Sequence, residues 1–494
     1  MGTDIEQETF DAADYARFDK RLTQCLATLG RLLARPGFGV GPVTLGAELE
    51  LFLVDGAARP LPLNQAVRAA AGDARVNLEL DRFNLELNAT PTLLAGRPFA
   101  ALREELHRLL GRVADAAQQH GGRVAMVGIL PTLRPADLHP GVMSDLPRYR
   151  ALDRGLRRLR QAPSRIRISG ADPLELASDD VVLEGANTSF QVHLRVNPGA
   201  FARTYNAVQA ATAPVLAVAG NSPTFLGHRL WEETRIALCK QSIDDRDGRG
   251  PRRRIARMAF GTGWLREGPL ELFAEAVRLH QPLLPVLSDQ DPLDAGDAGQ
   301  APPLAELRLH QGTVWRWNRA VYDPTLGGHL RIEMRALPAG PTVLDMVANA
   351  AFLVGLSRWL AEQEERWTWR LSFERAEHGF YRAAQHGLAA ELTWPFGGNG
   401  RLRTLPAAQL VPELLPVARE GLVAAGVAAT EADQLLGVIA ARVAAGQTGA
   451  VWQRRMLATL EPWLGRERAL AAMLERYLEL VTSDQPVHTW PTNL

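Results

Sequence analysis

Two glutamates two positions apart, Glu48 and Glu50, stand in the segment Thr44-Leu45-Gly46-Ala47-Glu48-Leu49-Glu50-Leu51-Phe52-Leu53-Val54. In an extended chain, residues i and i+2 share a face. Both carboxylates therefore project together, while Leu49, Leu51 and Leu53 go to the opposite, apolar face. Like charges so placed repel unless something positive lies between them. A hard divalent cation such as Mg²⁺ is the natural partner, because it takes oxygen ligands and carries the phosphates of a nucleotide. A solvated strand face would satisfy the same two residues.

Three further segments repeat the pattern of polar residues at period two. In Asn84-Leu85-Glu86-Leu87-Asn88, the asparagines and Glu86 face one way, and Glu79 lies on the preceding strand. Gln191, His193 and Arg195 share a face in 189–195, as do Arg331, Glu333 and Arg335 in 331–335. Each has a bland reading: a hydrogen-bonded histidine, a surface Glu-x-Arg pair worth little. Gathered on one curved sheet, they would place Glu48, Glu50, Glu79, Glu86 and Glu333 around His193, Gln191 and Arg335. Such a surface calls for two or three divalent cations. Arg335 suits a phosphate arriving with them, since guanidinium matches phosphate oxygens in bidentate geometry. Carboxylates, Mg²⁺ and arginine together are the equipment of phosphoryl transfer.

The elements that must position these residues read as α+β, with antiparallel strands contributing one decorated face each. Apolar periodicity predicts helices over 13–34, 98–119, 199–219, 229–241 and 342–363, and helical segments from about 406 to 482. Strands are expected at 44–54, 76–80, 84–88, 123–129, 188–196 and 329–337. Residues 131–178 read as loop-rich and able to cover a site, 242–264 as a mobile loop, and 287–304 as a linker. The expected organisation is a helical segment over 1–40, a catalytic domain over 41–395 and a helical region over 396–494. Apolar positions in the last fit an oligomer interface, a cover or simple packing, so a homo-oligomer is compatible with them.

The 494 residues carry zero formal net charge, which argues against a dedicated polyanion surface and so against a nucleic-acid partner. Cys25 and Cys239 are too few for a disulfide framework or thiolate site. The N-terminus lacks a signal-peptide pattern, and no apolar run reaches the ~20 residues of a membrane span. These features predict a soluble cytoplasmic protein.

Gly46-x-Glu48-x-Glu50, the Glu79 and Glu86 pair, Thr188-Ser189-x-Gln191-x-His193, Asn221-Ser222-Pro223 and Glu333-x-Arg335 together resemble the glutamate–cysteine ligase family. The likeness is to its bacterial and plant branch of carboxylate–amine ligases; Arg148-Tyr149-Arg150 and Arg235-Ile236-Ala237 also look like segments of it. It covers roughly 44–350. The resemblance implies a strongly curved antiparallel sheet forming an open, glutamine synthetase-like barrel or funnel with helices outside. ATP would enter one end and an amino acid the other, with two or three Mg²⁺ between them and Mn²⁺ as the alternative ion. Carried over by position, Glu48, Glu50, Glu79, Glu86, His193 and Glu333 would be metal ligands, with Gln191 beside the nucleotide. Arg335 would contact the transferring phosphoryl group, and Arg235 a phosphate or substrate carboxylate. Arg249, Arg252, Arg253, Arg254 and Arg257 would close over the nucleotide. The implied reaction is ATP-dependent amide formation through an acyl phosphate, with the γ-carboxyl of glutamate and cysteine as the family's best-known partners. The competing readings are an ATP:guanidino kinase, a metal-dependent hydrolase and a non-catalytic nucleotide-binding regulator.

Overall fold

Apolar and acidic residues alternate over Ala47–Leu51 in the middle of β1 (Thr44–Val54), the longest strand and the axis of the sheet. In this computed structural model, residues 5–160, 162–246, 255–293, 301–363, 367–396 and 401–493 are described. The chain continues through β2 (Val76–Leu78), β3 (Asn84–Asn88), β4 (Thr92–Leu93) and β5 (Arg123–Ala125), then a separate hairpin of β6 (Ser164–Ile168) and β7 (Leu174–Ser178). It re-enters the sheet as β8 (Phe190–Val196). A small hairpin of β9 (Thr224–Phe225) and β10 (His228–Arg229) precedes β11 (Asn318–Asp323) and β12 (His329–Met334), and β13 (Glu391–Phe396) pairs with β14 (Arg401–Pro406). The main sheet runs β11-β12-β8-β1-β3-β2, with β4 and β5 also paired to β1, all antiparallel. It is strongly curled into a half-barrel. The four decorated strands are consecutive in it.

One face of the sheet is apolar because the leucines between the glutamates must leave water. Leu45, Leu49, Leu51, Leu85, Leu87, Val192, Leu194 and Ile332 join a cluster with the helices Phe201–Ala219, Val343–Ala361 and Ala407–Ala424. The helix Val343–Ala361 is apolar enough in length and composition to cross a membrane, yet 83% of its apolar window is buried inside this fold. Thr342 caps it, accepting a hydrogen bond from the Asp345 amide at 3.0 Å. A second cluster joins Phe52, Val54, Val127 and Ile129 to the helices Gly449–Leu464 and Arg466–Val481.

The first cluster takes in Phe18, Leu22 and Leu29 of the helix Ala12–Leu33 as well as residues beyond 396. Neither 40/41 nor 395/396 is therefore a break in the core. The stretch 131–178 is more ordered than its polarity suggests, holding the helix Pro147–Arg160 and the β6–β7 hairpin. Six arginines on that helix hide a buried stripe of Tyr149, Leu152 and Leu156. The helix expected over 229–241 is Thr234–Ser242, preceded by β10. The strands expected over 123–129 and 329–337 end at Ala125 and Met334. Ahead of the C-terminal helices, β13 and β14 pair antiparallel, Glu391 opposite Pro406.

Candidate active site

Strand register builds the site. On the polar face, Gly46 pairs with His193, and His193 with Glu333, which pairs with Arg319. In the next row Asn88, Glu48 and Gln191 are neighbours, and in the third Glu86 pairs with Glu50. A period-two pattern on four antiparallel strands in this register necessarily stacks its polar residues into one patch.

The donors fall into two groups among the described residues: Glu50, Glu79 and Glu86, and Glu48, His193 and Glu333. Within each, one ligand atom per residue lies within 4.8 Å of the others. Glu79 contributes from the turn just after β2 rather than from the strand. Glu50 accepts from Gln191 Nε2 and from the Ser189 amide, both at 2.7 Å. Glu86 accepts from Asn88 Nδ2 at 2.7 Å. Burial raises all three acids of the first group. Glu50 is pushed up to about 7, its burial and the nearby Glu86 and Glu184 outweighing the pull of Arg335. Glu79 stands well above the ordinary glutamate value through burial and then Glu86 and Glu50, and Glu86 is raised by burial and Glu48. Three carboxylates that resist ionising together are a cation-shaped deficit.

The second group is balanced differently. Burial would raise Glu48, but His193 offsets it and holds the acid down at about 2. Glu333 is driven well below its usual range against burial by Arg319 and Arg335. Arg319 Nη2 donates to both Glu333 oxygens at 2.9 and 2.8 Å, and Arg335 Nη1 donates to Glu333 at 2.5 Å and to Gln191 Oε1 at 2.6 Å. His193 is 5% exposed, its Nε2 lies 3.4 Å from Glu48, and its Nδ1 is buried with no hydrogen-bond partner. A buried imidazole beside two carboxylates fits a metal ligand. The all-oxygen group suits Mg²⁺; the imidazole-containing one accepts Mg²⁺ or Mn²⁺.

The structure gives Arg235 another place. It is 2% exposed, with Nε on Glu233 at 3.1 Å and Nη2 donating to the Ala336 carbonyl. Its guanidinium thus holds the backbone next to Arg335 rather than reaching into open space. Arg257 is corrected outright: fully buried, it bonds Asp245 and the carbonyls of Thr313 and Gln281, and is no part of a nucleotide lid. Arg249, Arg252, Arg253 and Arg254 lie outside the described residues. Asn221 is structural, donating to the Ala339 carbonyl at 2.8 Å and to Tyr477.

Sequence reasoning missed Arg319, Glu184 and the placement of Arg148. Arg319 sits on β11, where Asn318, Ala320 and Tyr322 are buried and Arg319, Val321 and Asp323 lie on the half-buried face, an alternation of burial that Val321 hides in the sequence. Glu184 lies in the short turn Val182–Gly185 and Arg148 in the first turn of Pro147–Arg160. Their charges reach the site: Arg148 lowers Glu79, and Glu184 raises Glu50 and Glu79.

A curled antiparallel sheet carrying carboxylates on its concave face, with helices behind it, defines the glutamine synthetase-like fold. The sequence profile of glutamate–cysteine ligase family 2 matches residues 44–473. The chain belongs to that family. It is 27% identical over 395 residues to "Putative glutamate–cysteine ligase 2" of Streptomyces coelicolor, an alignment covering 78% of this chain and 87% of that one. It is 36% identical over 108 residues to "Putative glutamate–cysteine ligase 2-2" of Mycolicibacterium vanbaalenii, covering 22% of this chain and only 28% of that protein. Among solved structures, the glutamate–cysteine ligase of Francisella tularensis in complex with AMP superposes with a TM-score of 0.54 over 92% of this chain and 90% of that one. At 9% identity that likeness speaks for the fold alone.

Proposed function

We propose that this protein is an ATP- and Mg²⁺-dependent carboxylate–amine ligase that activates a carboxylate as an acyl phosphate and couples it to an amine. The observation that carries the reading is Arg335, whose Nη1 bridges Gln191 and Glu333 while its buried Nε has no partner. It stands between one group of acids short of positive charge and a second group already neutralised. A guanidinium with an unused donor beside such a group is suited to a phosphoryl group in transfer.

Glu50, Glu79 and Glu86 would hold one cation, and Glu48, His193 and Glu333 a second, where Mg²⁺ would supply positive charge for a phosphate. Gln191 fixes Glu50 and Arg335 at once, so the two groups keep a common geometry. Arg319 keeps Glu333 ionised. Arg235 anchors the backbone that carries Arg335, and Arg253 and Arg254 are assigned to the nucleotide by resemblance alone. The family favours the γ-carboxyl of glutamate as the group activated and cysteine as an acceptor. A carboxylate does not condense with an amine unaided, because its oxygen is a poor leaving group; phosphorylation makes it one.

The test is ADP release by purified protein with MgATP, pooled amino-acid carboxylates and pooled amines, with mass spectrometry of the products. The expected result is substrate-dependent ADP and a new amide, both abolished in Glu333→Gln. Amide hydrolysis without nucleotide would instead make it a hydrolase, and MgATP binding without turnover a regulator.

A further inference from the structure

Two arginines on the polar face, Arg195 and Arg331, have no part in the site as described so far. They are partners across β8 and β12, two residues along from the paired His193 and Glu333 and on the same face. That spacing sets them about 7 Å along the sheet from the His193–Glu333 pair. We infer that Arg195, with Arg331 beside it, binds the phosphates of the departing nucleoside diphosphate and so fixes which way the nucleotide lies along the sheet. This rests on the ligase reading above.

Arg195 is 7% exposed, yet among the described residues it makes no hydrogen bond and no ion pair, and its buried Nε is without a partner. A buried guanidinium with no counter-ion is costly, and a bound anion removes the cost. Arg331 is little better served. Its Nε is also buried and unpartnered, and its one carboxylate, Asp323, stands 3.5 Å from Nη2. Asp323 is meanwhile engaged by the Thr325 amide at 2.9 Å and hydroxyl at 2.6 Å. The segment leading into β1 crosses the same end of the sheet, where the Gly41 amide donates to Asn197 Oδ1 at 3.0 Å. Glycine at 41 leaves room for the guanidinium: a Cβ there would fall 2.8 Å from Arg195 Cζ.

The two ends of the face therefore differ in sign. On one side of Arg335 lie Glu50, Glu79 and Glu86; on the other, past Glu48, His193 and Glu333, come Arg195 and Arg331. A phosphate chain whose terminal group sits at Arg335 runs toward the two arginines, because the acid-rich end repels it. The carboxylate to be activated is left the opposite end. In the transfer, a carboxylate oxygen bonds the terminal phosphorus and the bond from that phosphorus to the bridging oxygen breaks. The diphosphate leaves with that electron pair, and Arg195 stabilises the charge it gains.

Calorimetric binding of ADP and of AMP, each with Mg²⁺, is compared for wild type, Arg195→Met and Gly41→Ala, with thermal unfolding of each protein free of nucleotide. Methionine keeps an unbranched apolar stem and removes the charge. Arg195→Met is expected to bind ADP about ten- to a hundredfold more weakly, the scale of hydrogen bonds to a charged group. Its AMP affinity stays within a few-fold of wild type, and its unfolding midpoint is no lower, since an unpaired buried charge is gone. Gly41→Ala, which displaces the guanidinium without removing it, weakens ADP binding in the same direction. Unchanged ADP affinity in Arg195→Met would leave the arginines to a carboxylate, and equal loss of ADP and AMP would make Arg195 a structural support; either overturns the inference. Wild type that binds neither nucleotide would overturn the ligase reading itself and the Arg195 role with it.

Discussion

Glu333 illustrates how two residues of one type acquire opposite characters from their neighbours. Held by Arg319 and Arg335, it is kept well below the usual carboxylate range, whereas burial pushes Glu50 up to about 7. A carboxyl raised by folding binds more protons folded than unfolded, so its contribution to stability is present below its unfolded pKa and lost as pH rises through the folded one. Metal-free protein should therefore lose thermal stability between about pH 4.5 and about 7, the ordinary and shifted values of Glu50. Mg²⁺ should restore most of that loss at the upper end, because it replaces the protons. Unfolding midpoints in chelator and in Mg²⁺ across this range would show it; a flat profile without metal would contradict the charge deficit at Glu50, Glu79 and Glu86.

Among the elements, β1 does the most positioning, since it pairs with β3, β4, β5 and β8 and carries both glutamates. The segment after β12 matters equally. Gly340 adopts φ +75°, and a Cβ there would fall 2.1 Å from the Met126 carbonyl. Gly340→Ala should push this segment off its support and lower ADP release while leaving far-ultraviolet circular dichroism close to wild type. Arg257 behaves as an element-scale bolt, tying 245, 281 and 313 together. Arg257→Ala should cost about 3–5 kcal/mol of stability by removing the buried cation of the Arg257–Asp245 pair. Denaturant unfolding measures this, and nucleotide affinity of the folded fraction should be unchanged.

At the scale of the whole molecule, the helices Gly449–Leu464 and Arg466–Val481 pack against Phe52, Val54, Val127 and Ile129. Tyr477 donates to the Met126 carbonyl at 2.7 Å and accepts from Asn221, which in turn holds Ala339, four residues past Arg335. Trp452, Tyr477 and Trp490 pack edge-on or tilted with ring centres 5.2 to 5.9 Å apart. Trp452→Ala should destabilise the protein by about 3–5 kcal/mol, the scale of a large aromatic lost from a core. Activity should fall in step with the folded fraction, because the second cluster and the site share one support.

Period-two alternation was enough to read β1, β3, β8 and the start of β12 from the sequence, and with them Glu48, Glu50, Glu86, His193 and Glu333. Local spacing determines which residues share a strand face, and a buried apolar face leaves little freedom over register. Tertiary structure alone decided the rest. Whether Arg235 faces a substrate or a carbonyl, and whether Arg257 is a lid or a bolt, depends on partners 24 to over 100 residues away. Strand pairing brought Arg319 to Glu333. The helix Pro147–Arg160 stayed hidden because its arginines mask the apolar stripe that packing reveals. A sequence pattern reports which groups share a face; which charge finally sits opposite another is set by the long-range contacts that fold the chain.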